Sequence, residues 1–150
     1  MKLFSIILCI SLLYMMIHPA AIAAEGSTIF CFECSYPCWS DAKGNHATSK
    51  KYPMEFKFVW KLGERNATMI GNVGTAEVAA IQNACGITFV EITNTGNVTA
   101  TTINLEQIKE IKKNGILQYV ITESVHSRNT IMPDGYQTWC QYYGTCVIKR

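Results

Sequence analysis

Little in this sequence serves catalysis. Three histidines occur in 150 residues. No G-x-S-x-G, H-E-x-x-H or phosphate-binding glycine loop is present, so serine hydrolases, zinc proteases and nucleotide-binding enzymes find no signature here. Charge is scarce too: 13 Lys+Arg face 11 Asp+Glu, a net of +2. The basic residues come in pairs, never in runs. Nucleic acids and anionic membranes usually require a basic patch, so neither is an expected partner. After the first 24 residues no long apolar run follows, which leaves no membrane span and no lipid-anchor tail. Internal repeats and low-complexity stretches are also lacking.

What is present begins with a leader. Lys2 precedes an apolar run from Leu3 to Ile17, then Pro19 and the small residues Ala20, Ala21, Ala23 and Ala24. That is the pattern of a secretory signal peptide over residues 1–24, cut after Ala23 or Ala24. The run is short for a membrane anchor. Residues 25–150 then make one domain, expected to be secreted and extracellular, with nearly balanced charge.

Export changes how the cysteines read. Cys9 leaves with the leader, and Cys31, Cys34, Cys38, Cys85, Cys140 and Cys146 remain. In an oxidising compartment an even set reads as disulfides. A Cys31–Cys34 bridge would be strained, so we expect each N-terminal cysteine to join a distal one. Such bridges close long loops and are worth roughly 3–5 kcal/mol each in the chain-entropy model. The Cys31-x2-Cys34 pair has no second matching pair for zinc, and Pro37 interrupts the helix that a redox motif needs. No metal and no cofactor is expected. Asn66-Ala67-Thr68 and Asn97-Val98-Thr99 match the N-glycosylation acceptor. Both asparagines are expected in exposed turns.

Met54 to Leu62 alternates strictly, with Met54, Phe56, Phe58, Trp60 and Leu62 on one face. Thr75 looks like an N-cap for a helix that ends at Gly86 with Cys85 at its C-terminus. Ile87–Thr93 and Val98–Ile103 read as strands joined by the turn Asn94-Thr95-Gly96-Asn97. Asn104, with Gln107 three residues on, reads as the capping box of a second helix closed by Lys112, Lys113 and Asn114-Gly115. Ile116–Val125 is a further strand, His126–Asn129 a polar loop, Pro133-Asp134-Gly135 a turn and Tyr136–Cys140 a last strand. The expected fold class is α+β: a small disulfide-stapled domain with an antiparallel sheet and two short helices. Its order over 54–125 is that of a split βαβ, ferredoxin-like unit.

Aromatic residues mark the candidate binding surface. Tyr36 and Trp39 crowd the N-terminal cysteines, and Trp139, Tyr142 and Tyr143 crowd the C-terminal ones. Long-range bridges would bring the groups together, as a satellite core or as a recognition surface. The expected function is therefore a secreted, non-enzymatic glycoprotein that binds an extracellular protein or glycan. Two other readings stand beside it. One is a small secreted hydrolase using His46 and His126. The other is an apolar-ligand carrier with a cavity lined by residues such as Phe56, Phe58 and Trp60.

Overall fold

The structure is a computed structural model that describes residues 28–149 except 50, 52, 133 and 136. The leader expected over 1–24 lies outside the described residues. So do Pro133 and Tyr136 of the expected turn and last strand. Ten strands follow one another: β1 (Ile29–Asp41), β2 (His46–Thr48), β3 (Met54–Lys61), β4 (Asn66–Gly71), β5 (Gly74–Gln82), β6 (Gly86–Ile92), β7 (Val98–Asn104), β8 (Ile108–Lys113), β9 (Ile116–Ile131) and β10 (Gln137–Lys149). Eight of them close a ring in sequence order, β1-β3-β4-β5-β6-β7-β9-β10, with β10 pairing back onto β1. All neighbours are antiparallel. β2 is a short flap on β1, and β8 a flap on the lower part of β9.

This closed up-and-down barrel replaces the α+β, ferredoxin-like sandwich read from the sequence. No α-helix occurs among the described residues. The expected helix over 75–85 is strand β5. As a helix it would bury little beyond alanines, and short isolated helices are marginal in water. As a strand, Ala76, Val78 and Ala80 all face the core, and β5 gains hydrogen-bonded ladders to β4 and β6. Tertiary pairing outweighs helix propensity. The small inward alanines also leave room for Phe58 and Phe89, whose rings stack 4.4 Å apart across the interior.

The second helix fails differently. Asn104 does cap, its side chain accepting from the Glu106 amide at 3.0 Å. It opens only a 3-10 turn, Leu105–Gln107, before β8. Asn114-Gly115 does not end a helix. Both residues have positive φ, 52° and 80°, which makes the tight primed hairpin turn between β8 and β9. The stretch read as loop after Asn66 is β4, with Ala67 and Met69 buried. The polar loop read at His126–Asn129 lies within β9. Met54–Leu62, Ile87–Thr93 and Val98–Ile103 match β3, β6 and β7, whereas Ile116–Val125 continues to Ile131 as β9 and the strand expected to end at Cys140 runs on to Lys149 as β10; Gly96 carries the turn between β6 and β7 at φ 80°.

Inward positions are apolar: Phe32 on β1, Phe58 and Trp60 on β3, Val78, Ile87, Phe89, Ile103 and Ile121 are all buried. Outward positions carry charge, including Glu33, which pairs with Lys57 and Lys149 across three strands. A membrane-spanning barrel has the reverse polarity. The lower end is closed. Trp60 donates its indole N–H to the Glu64 carbonyl at 2.8 Å, and Leu105 of the 3-10 turn packs onto the core.

Candidate functional site

The upper end is open, and register explains what faces it. Paired residues on neighbouring strands share a face, so each cross-strand row of inward side chains forms a layer. Phe89, Thr101, His126 and Tyr142 make one such layer. Glu91, Thr99, Arg128 and Cys140 make the next one up. In the lower layer the side chains on β6, β7 and β9 are fully buried. In the upper layer Glu91, Thr99 and Cys140 are half-buried and Arg128 is exposed, as are Met54, Phe56 and Tyr142 half-buried on their strands. Inward-facing residues that solvent still reaches mark this end of the barrel as open, and together they are called the cup below.

Its floor is an aromatic plug centred on His126. The Phe56 ring lies 4.5 Å from the imidazole, and Tyr36 and Tyr142 each lie 5.8 Å from it. Thr101 Oγ1 meets His126 Nδ1 at 2.7 Å, and the Tyr36 hydroxyl meets Ser124 Oγ at 2.9 Å. Burial, helped by the Arg128 cation, pushes His126 down to about 4. The imidazole is therefore neutral near pH 7. Burial likewise raises the Tyr36 and Tyr142 phenols.

The cup walls carry both charges. Glu91 accepts from the Thr99 hydroxyl at 3.3 Å. Ion pairs between described residues join Lys57 to Glu33, Lys61 to Glu64 and Lys149 to Glu33. Among the described residues, then, no carboxylate lies within ion-pair distance of Arg128. On β9 it stands one inward position above His126, opposite Cys140, and its charge acts on both the His126 ring and the Tyr142 phenol.

Beside the cup, β10 runs on past the end of β1. Pairing of the two strands stops at Asp41 opposite Cys140. The notch so formed holds about 300 Å³ and is lined by Trp39, Asp41, Lys43, Asn45, Gln137 and Trp139, among others. The structure thus brings together Trp39 and Trp139, two of the five aromatics singled out from the sequence. Tyr36 and Tyr142 lie deeper, in the plug. Tyr143 faces outward and donates to Gln141 Oε1 at 2.7 Å.

One disulfide is formed, Cys34–Cys146, and it joins an N-terminal cysteine to a distal one across the β1–β10 seam. Cys31, Cys38, Cys85 and Cys140 are unbridged in this structure. Cys38 Sγ lies 3.6 Å from Thr48 Oγ1. Cys85 is exposed after β5, where Glu106 beside it pushes the thiol up. Asn66 opens β4 rather than lying in a turn. It is exposed and donates its amide to Glu77 at 3.0 Å. Asn97 ends the β6–β7 turn, its side-chain oxygen accepting from the Ile131 amide at 2.7 Å.

His46 and His126 do not form a pair. His46 is exposed on β2, and β1 and β10 lie between it and the strand that carries His126. Phe58 and Trp60, expected to line a ligand cavity, are packed solid, while Phe56 does border the cup. Reading from sequence missed the roles of His126 and Arg128 because it placed His126–Asn129 in a polar loop, and because β9, which in fact continues through them, bulges. Ile121 and Ser124 both face inward, and β10 pairs them with Cys146 and Gly144. A strict two-residue alternation carried through from Ile121 points His126 the wrong way. Comparison with protein families, curated proteins and solved structures found no match.

Proposed function

We propose that this chain is an exported, non-enzymatic binding protein, and that its open barrel end takes a small amphipathic anion. Eight-stranded barrels are just wide enough to fill with side chains or to hold one small ligand. Here the lower interior is filled and the upper end is a cup. The observation that carries the reading is Arg128: a cation without a carboxylate partner among the described residues, set beside half-exposed rings. A carboxylate or sulfonate head would meet the guanidinium and the Tyr142 hydroxyl. An apolar body would cover Phe56, Met54 and the plug. The leader, the disulfide and the two glycan acceptors favour an extracellular setting.

The test uses 1-anilinonaphthalene-8-sulfonate, itself an amphipathic anion. The folded protein should bind it with enhanced fluorescence, and decanoate should displace it. A hydrogen bond to a charged group is worth about 1.5–3 kcal/mol, so Arg128→Ala should weaken binding about 10-fold or more, with Arg128→Lys intermediate. Binding that ignores Arg128, or no binding at all, refutes the reading.

A further inference from the structure

We propose that the notch between the Asp41–Asn45 turn and the tip of β10 is a carbohydrate subsite that stacks a neutral sugar ring on Trp139. It stands on residues other than Arg128 and Phe56, so it succeeds or fails apart from the cup.

The shape is built rather than incidental. Asp41 Oδ1 accepts from the amides of Lys43 and Asn45, both at 2.9 Å, and Oδ2 accepts from the Asn45 side chain at 2.8 Å. Gly44 takes the positive φ that the turn needs, 83°. The turn is then tied to the opposite wall, because the Ala42 amide donates to the Trp139 carbonyl at 3.2 Å. Both walls are held before any ligand arrives, which lowers the ordering cost of binding.

The chemistry of the lining selects the ligand. Trp139 is 55% exposed and lines a hollow of about 300 Å³. Asp41 and Lys43 cancel in charge, and the carboxylate is already engaged by three N–H donors. An ion finds no net charge to hold it. A purely apolar ligand would strand the Gln137 amide and the Thr138 hydroxyl, and unmet polar groups cost binding energy. A pyranose suits both demands. Its C–H face packs on the indole, and its hydroxyls both donate and accept among Gln137 and Thr138.

Ligand-observed NMR reads the test, because the notch holds both Trp39 and Trp139 and a variant lacking an indole would change the emission whether or not it binds. The oxidised protein is titrated with methyl α-mannoside, methyl β-galactoside and N,N′-diacetylchitobiose. We expect at least one to bind with a dissociation constant at or below about 10 mM, a weak affinity of roughly 3 kcal/mol. In Trp139→Ala that binding should fall at least about 10-fold with the circular dichroism and thermal midpoint unchanged, and Trp139→Phe should restore part of it. If no sugar in the panel binds, if Trp139→Ala binds equally well, or if only an unglycosylated peptide binds, the proposal is overturned. Should Trp139→Ala misfold, Gln137→Ala, at a rim position, serves as the second variant under the same expectation.

Discussion

His126 occupies a place where an imidazolium would lose its water and face the Arg128 cation. In the unfolded chain its ring titrates near 6.5, and in the fold near 4. Between those values the unfolded chain holds the extra proton. Stability from this residue is therefore complete above about pH 6.5 and drains away as pH falls toward 4, by up to about 3 kcal/mol. Urea unfolding across that window should show the midpoint falling with acid. In His126→Gln, which has no proton to gain, the fall should be shallower by most of that amount. An equal slope in both proteins contradicts the assignment. The same residue shows the limit of reading single positions. Its sequence neighbours Ser124, Ser127 and Arg128 are polar, so it reads as surface, and only the layer of Phe56, Tyr36 and Tyr142 around it makes it core.

At the scale of elements, close backbone contact sets β10 against β1. A methyl at Gly144 would collide with the backbone of Ser35 and Tyr36, next to the irregularities in both strands. Backbone cannot swing aside as a side chain can. Gly144→Ala should therefore cost about 2–3 kcal/mol, whereas Gly135→Ala, where nothing lies within 4 Å, should cost only the roughly 1 kcal/mol of its positive φ. Thermal unfolding of the two variants separates them, and equal losses would show that the seam is looser than described. The strands that sequence located best, β3, β6 and β7, pair β-branched or aromatic residues with alternation. Those it missed broke one of these cues. β5 is rich in alanine. β4 is short, with Ala67 and Met69 as its inward pair. β8 is exposed along its whole length, so it has no buried face to read, and its Asn-Gly turn serves hairpins and helix ends alike.

The whole molecule closes where its first barrel strand meets its last. Cys34 and Cys146 face each other there, 112 residues apart in sequence. A loop of that length is worth about 4–5 kcal/mol in the chain-entropy model. The double variant Cys34→Ala/Cys146→Ala should lose a large part of that in urea unfolding, while Cys85→Ala, exposed and outside the ring, should stay within about 0.5 kcal/mol of the parent. Peptide mapping without reductant should recover the Cys34–Cys146 pair; its absence from the oxidised protein counts against the seam. From composition and order alone came the pairing of an N-terminal cysteine with a distal one and the strands β3, β6 and β7, together with the expectation of an export leader and two glycan acceptors, because these depend on local pattern. Closure, the inside of the barrel and the cup came only from tertiary pairing, because a strand's neutral or alanine-rich stretch has no preferred face until a neighbouring strand supplies one.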